Sequence, residues 1–264
     1  MTNEILVLGG TGKTGRRIVQ RLRAAAVPVR VGSRTAPLPF DWSDRSTWAP
    51  ALRDVRTVYI SYYPDLAVSG APADIDAFTS LAVASGVTRL VLLSGRGEDE
   101  AEACERIVQG AGAEWTILRC SWFSQNFSED YLRDAVLSGE VALPVGDVPE
   151  PFVDADDIAD VAVAALTTDG HTGQLYELTG PRLLTFADAV AEISAATGRP
   201  ITYVQVPAQD YAAALPPEIA GLLMYLFTTV LDGRNAHVTG DVRRALGREP
   251  RDFADYAKQT AWFA

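Results

Sequence analysis

The chain of 264 residues has only two cysteines, two histidines and two lysines, and each shortage removes a class of chemistry. Cys104 and Cys120 form neither a close pair nor a metal-spaced set, which argues against a disulfide scaffold and a zinc site. Both are expected to be small buried residues. His171 and His237 lie far apart with no ligand spacing, so no metal is expected. Neither Lys13 nor Lys258 has a tyrosine four residues ahead of it, so a lysine-activated tyrosine acid is missing. Ser94 does not stand in G-x-S-x-G, which removes the hydrolase elbow. The apolar run Leu222 to Phe227 falls far short of the ~20 residues a membrane span needs. Met1-Thr-Asn-Glu leads straight into a strand-like run without a basic, then apolar, leader, so a cytoplasmic protein is expected. Positive charge is also scarce: 23 basic against 34 acidic residues give a net charge of −11. A surface that acidic repels nucleic acid and anionic lipid, so neither is an expected partner. It leaves room for one local basic pocket.

What is present alternates. Ile5 to Leu8 is an apolar run ending at Gly9-Gly10, as in a buried parallel strand. Ile18, Val19, Leu22 and Ala26 then recur at helical spacing. Strand signals return at Pro28 to Gly32, Val55 to Ser61, Leu90 to Ser94 and Trp115 to Arg119, and a further strand is expected near Phe40. Helical signals lie between them at 73–85 and 98–109. Serial βα units predict an α/β fold, a Rossmann doubly wound parallel sheet. After residue 140 the prolines at 144, 149 and 151 break the rhythm; helices are expected at 156–167 and 185–197, the second opening with a capping-box-like Thr185 to Asp188 and stopping at Gly198. The expected division is a nucleotide-binding domain over 1–150 and a smaller C-terminal α/β lobe over 151–264, with some elements returning to the first sheet and the lobe capping the ligand edge.

The most informative motif is Gly9-Gly10-Thr11-Gly12-Lys13-Thr14-Gly15, which fits G-x-G-x-x-G between a strand and a helix. Residues without Cβ let the backbone turn and approach a diphosphate, and the amides at the helix start face its charge. Gly12-Lys13-Thr14 also resembles the end of an NTPase phosphate loop, but that loop needs glycine where Val7 stands. NAD-preferring sites place an acid after the second strand; here the segment is Val31-Gly32-Ser33-Arg34. A hydroxyl and a guanidinium there suit a 2′-phosphate, so NADP(H) is the expected cofactor, with Lys13 a possible second cation. Asp41 is a candidate partner for the adenine.

Several stretches together resemble the NmrA-like branch of the atypical short-chain dehydrogenase/reductases, and within it the ergot-alkaloid-biosynthesis group containing festuclavine and agroclavine dehydrogenases. They are Leu8 to Gly15, Gly32-Ser-Arg34, Phe40-Asp-Trp42, Leu92-Leu-Ser94, Ile117-Leu-Arg119, Trp122-Phe-Ser-Gln-Asn-Phe127, Pro151 to Ala159 and Gly247 to Phe253. Cys120 departs from the proline common after that arginine. The resemblance implies that Gly9, Gly10, Thr11, Gly12, Lys13, Thr14 and Gly15 hold the diphosphate, that Ser33 and Arg34 take the 2′-phosphate, and that Asp41 and Trp42 border the adenine. It further implies that Tyr62, Ser94, Cys120 and Phe123 lie along the ribose and nicotinamide. Tyr63, Arg96, Trp122, Phe123, Asn126, Phe127 and Tyr225 would meet a small-molecule substrate, with Tyr63 or Ser94 as catalytic donor, in a monomer or weak homodimer. Several of these are aromatic, which suits a planar apolar molecule.

The expected activity is therefore NADPH-dependent reduction of an iminium, enone or quinone without a Tyr/Lys acid. An iminium carbon accepts hydride with no proton donor at all. The alternatives are a non-catalytic NADP(H)-sensing regulator and a cyclase or isomerase that retains the fold.

Overall fold

The computed structural model describes residues 4–263. In chain order its strands are β1 (Glu4–Leu8), β2 (Val29–Gly32), β3 (Val55–Ile60), β4 (Arg89–Gly95), β5 (Glu114–Cys120), β6 (Glu140–Leu143), β7 (Gln174–Leu178) and β8 (Thr202–Gln205). The helices are α1 (Lys13–Ala24), α2 (Trp48–Leu52), α3 (Ala71–Ala84), α4 (Asp99–Gly110), α5 (Asn126–Glu129), α6 (Arg133–Ser138), α7 (Ala155–Thr167), α8 (Phe186–Thr197), α9 (Ala208–Ala214), α10 (Pro217–Tyr225), α11 (Asp241–Leu246) and α12 (Phe253–Gln259). Among the described residues no helix is long and apolar enough to cross a membrane.

The chain forms two compact units. The first runs up to Cys120 and adds Ala155–Glu177 and Arg244–Gly247; the second comprises Ser121–Asp154, Leu178–Arg243 and the chain from Arg248 onward. Position 150, the expected boundary, lies inside the second unit, while α7 and most of β7 belong to the first.

The first unit carries a sheet in the order β2-β1-β3-β4-β5-β7, with β2 to β5 and β1 paired in parallel. Ile5, Leu6, Val7 and Leu8 are all buried, as a strand covered on both faces requires. The chain leaves β1 to one side for β2 and crosses to the other side for β3, so the order reverses at β1 and β3. Ligands of open parallel sheets bind at the carboxyl ends of strands at such a reversal. On α1 the buried stripe is Ile18, Val19 and Leu22. Its flank is tied to α7 by Arg17 to Asp156 at 3.1 Å and Arg21 to Asp160 at 2.6 Å.

No strand forms near Phe40, which corrects the expectation from sequence. Phe40 and Trp42 turn inward and pack with Trp48 and Phe78, the Phe40–Trp42 and Trp42–Phe78 rings meeting edge to face at 5.1 and 5.2 Å. Burying four large rings outweighs extending a short edge strand, because each ring removes far more apolar area from water than a ladder hydrogen bond gains net.

In the second unit, β6 and β8 pair in parallel, from Glu140 with Thr202 to Leu143 with Gln205. Its core gathers Phe127, Phe152, Phe186, Phe253, Tyr256 and Trp262. α8 starts with the anticipated capping box, Thr185 and Asp188 bonding reciprocally, and ends at Gly198 with φ +66. Only a residue without Cβ takes that conformation without strain.

Candidate functional site

The loop between β1 and α1 has the geometry that a diphosphate needs. Gly9 adopts φ +64, and Gly12 N–H donates to Gly9 O at 2.8 Å, which closes the turn. A Cβ on Gly15 would stand 2.1 Å from Gly9 O, and one on Gly10 2.9 Å from Val7 O. Both positions therefore exclude every other residue. Gly12 caps α1 without a side chain, and no acid stands in the first turn. The positive end of the helix is thus left to an incoming anion. A nicotinamide dinucleotide fits these residues, through the loop amides and the half-buried Lys13. Thr14 has a different task from the one expected: it is buried, and its hydroxyl accepts the Tyr59 hydroxyl at 3.0 Å, tying α1 to β3.

The residues after β2 and β3 divide. Ser33 is half-buried, its hydroxyl 3.5 Å from that of Thr35. Arg34 is exposed and its guanidinium lies over the Tyr63 ring, 5.1 Å from the centroid. Tyr63 itself is 65% exposed. Asp41 accepts from both the amide and the hydroxyl of Ser43, bonds that hold its carboxyl below the usual range. Trp42 is buried in the core, and its indole N–H donates to Ser61 O at 3.0 Å. Tyr62 is likewise engaged, its hydroxyl donating to Asp74 at 2.8 Å.

At the ends of β4 and β5 lies a partly buried ionic network. Glu105 of α4 accepts from the Ser94 hydroxyl at 2.6 Å and from Arg119 Nε at 2.9 Å. Arg119 also reaches Glu177 at 3.1 Å, which Arg96 Nη2 approaches at 3.4 Å. Ser94 and Arg96 are 4% and 3% exposed. The Ser94 hydroxyl thus donates to a carboxylate, and Arg96 lies beside Glu177. Cys120 is buried, with Sγ 3.4 Å from Leu118 O, and burial pushes its thiol well up. Burial pushes Cys104 up to about 12. Neither is a thiolate at neutral pH.

One arrangement on this edge had no signal in the sequence. Asp65, after β3, and Glu98, before α4, share a hydrogen bond, and a hydrogen bond between two carboxyls requires one proton. Burial raises both, Glu98 well above the usual range, where the charge of Asp65 adds to the effect; Lys13 acts on Asp65 in the opposite direction. A second overlooked set was legible. Arg16, Gln20 and Arg23 recur on one exposed face of α1, and with Ser33, Thr35 and Pro37 they line a groove of about 660 Å³ that reaches Gly10 and Thr11.

In the second unit, Phe127 is fully buried against Phe152, Phe186 and Phe253. Trp122 and Phe123 are half-buried; Trp122 packs on Phe186 and Phe227 at 5.6 and 5.3 Å, and its indole nitrogen is buried without a hydrogen-bond partner. Asn126 opens α5 and Tyr225 closes α10, both half-buried.

Comparison with known proteins finds relatives over nearly the whole chain. Residues 99–257 match the NmrA-like family. The oxidoreductase YesF of Bacillus subtilis is 32% identical over 271 residues, covering 97% of this chain and 94% of that one. Festuclavine dehydrogenase easG of Aspergillus fumigatus is 32% identical over 286 residues, with 97% of each chain covered. Among solved structures, the triphenylmethane reductase of Citrobacter sp., complexed with NADP(H), superposes with a TM-score of 0.81 at 18% identity, over 97% of this chain and 99% of the other.

Proposed function

The chain belongs to the NmrA-like family, and from that premise we propose that it reduces a small, planar, apolar molecule of the iminium, enone or quinone type with NADPH. At the coarser level it is an oxidoreductase with a nicotinamide cofactor, as its full-length relatives are oxidoreductases and dehydrogenases. The observation that carries the reading is the α1 N-terminus, uncapped by any side chain, free of acid in its first turn, and approached by a loop in which Gly10 and Gly15 tolerate no side chain.

NADPH, when bound, would supply a hydride, that is, a proton with two electrons. The amides of residues 9–15 and the Lys13 ammonium would hold its diphosphate. The sequence holds no Tyr-x-x-x-Lys, and the Ser94 hydroxyl donates to Glu105. An iminium carbon needs no proton, so its reduction asks of the protein only orientation and exclusion of water. An enone or quinone takes up one proton after hydride addition. The exposed Tyr63 hydroxyl is the proposed donor for such substrates. On the second unit, Trp122, Phe123, Asn126 and Tyr225 remain the proposed substrate contacts.

The test is to mix protein, NADPH and a panel of cyclic imines and quinones, and to follow the absorbance of the reduced cofactor. Oxidation above background with at least one flat substrate is expected. Binding of NADPH with no turnover across the panel would replace this reading with that of a nucleotide sensor. Conversion of substrate beside unchanged cofactor would replace it with an isomerase.

A further inference from the structure

Trp122 is half-buried, yet its indole nitrogen is fully buried and has no hydrogen-bond partner. A dry N–H donor is costly, and native folds keep few of them. The rest of the residue is committed. Its amide faces Glu150 Oε1 at 3.4 Å, and its carbonyl accepts the Val153 amide at 2.9 Å. Its ring packs on Phe186 and Phe227, whose phenyl rings offer no lone pair. All of these residues lie in the second unit. The two phenyl neighbours differ in freedom. Phe186 is fully buried in the first turn of α8, behind the Thr185 capping box. Phe227 sits in a π turn over Leu226–Val230, which continues α10 and is closed by Leu231 N–H to Leu226 O at 3.1 Å. Such turns are rare and recur at functional sites. Phe227 is the cover that can yield.

Resting on the reductase reading above, we propose that the Trp122 indole N–H is the donor to the oxygen of a conjugated carbonyl substrate, an enone or a quinone, reached when the Phe227 ring turns aside. Of the substrate types named there, these carry an acceptor oxygen, whereas an iminium nitrogen has no lone pair left to accept. Hydride adds to the conjugated carbon, the π electrons shift onto oxygen, and the indole N–H holds the charge that develops there. Indole is a donor only, so it stabilises the oxyanion without protonating it. The oxygen then takes one proton from water or from the Tyr63 hydroxyl, which completes the reduction.

The experiment compares an enone and a quinone with a cyclic imine, each reduced by NADPH on the intact protein. Trp122→Phe keeps an aromatic ring and removes the donor. Loss of ring surface touches every substrate, so the readout is the ratio of kcat/KM for the carbonyl substrates to that for the imine. That ratio is expected to fall roughly ten- to a hundredfold, the worth of a hydrogen bond to a charged acceptor. The second measurement is the indole N–H spectrum of ¹⁵N-labelled protein saturated with NADP⁺, where no turnover occurs. The signal missing from the Trp122→Phe spectrum is that of Trp122, and adding the enone or quinone is expected to move it downfield. Should that variant not fold, Trp115→Phe assigns the signal by elimination, because Trp42, Trp48 and Trp262 already donate to backbone carbonyls. Where no imine is reduced, the spectrum decides. An unchanged ratio, a signal unmoved at saturating substrate, or reduction of imines without reduction of either carbonyl substrate overturns the proposal and leaves the reductase reading standing. Oxidation of NADPH by none of the three defeats that reading, and this proposal with it.

Discussion

Glu105 shows how a single buried acid can commit its neighbours. It holds the Ser94 proton and one edge of Arg119, so each of those groups is fixed before any substrate arrives. Removing it leaves the half-buried Arg119 guanidinium with Glu177 alone and the buried Ser94 hydroxyl without its acceptor. Glu105→Ala is expected to cost about 3 to 5 kcal/mol, read as a lowered urea midpoint at unchanged slope. Ser94→Ala, by the same logic, is expected to lower stability and leave the pH profile of turnover unmoved. Tyr63→Phe is expected to do the reverse: a fall on the order of a hundredfold in quinone reduction, the scale of a lost general acid, with imine reduction and stability intact. The Asp65–Glu98 pair gives a further test. Both carboxyls are raised in the folded state, so the native protein keeps a proton that the unfolded chain has lost. Its stability is therefore greatest below the ordinary carboxylate range and falls as pH rises through the raised values. Glu98→Gln, which cannot ionise, is expected to flatten that fall above the ordinary carboxylate range in thermal melts.

Among the elements, α1 connects sequence most directly to function. One stripe, Ile18, Val19 and Leu22, binds it to the sheet; the opposite side, Arg16, Gln20 and Arg23, faces the groove; its N-terminus stays bare. Gly15→Ala is expected to abolish nucleotide binding and to lower the melting temperature, because the added carbon would meet Gly9 O at 2.1 Å and backbone must move. The aromatic insert around Phe40 plays a purely structural part in the first unit. Trp48 is 2% exposed and donates its indole N–H to Asp41 O at 2.9 Å. Trp48→Ala is expected to cost about 3 to 5 kcal/mol, measured by denaturant unfolding.

For the whole molecule, the relevant quantity is the balance between net acidity and one anion-binding turn. The charge of −11 discourages binding of polyanions, while the glycine loop at the bare α1 N-terminus admits a small one. Ligand linkage turns this into a measurement on the intact chain. NADP⁺ at a hundred times its dissociation constant contributes about 2.7 kcal/mol, which raises the melting temperature by roughly 5 to 10 °C. NAD⁺ at the same concentration is expected to raise it less.

The chain by itself determined the parallel sheet, the first crossover and the glycines of its turn, since these follow from hydrophobic period and from backbone sterics within a few residues of each other. The box at Thr185 and the stop at Gly198 were local in the same sense. Only the tertiary structure decided which polar side chains remain available for chemistry. Ser94, Arg96, Thr14 and Tyr62 have the right residue types and are engaged by Glu105, Glu177, Tyr59 and Asp74, partners 11 to 81 positions away. Phe127 and Trp42 were equally plausible ligands until their surroundings filled with other rings. The physical reason is that burial and hydrogen-bond commitment depend on packing between remote segments, whereas periodicity and glycine geometry are written into neighbouring ones.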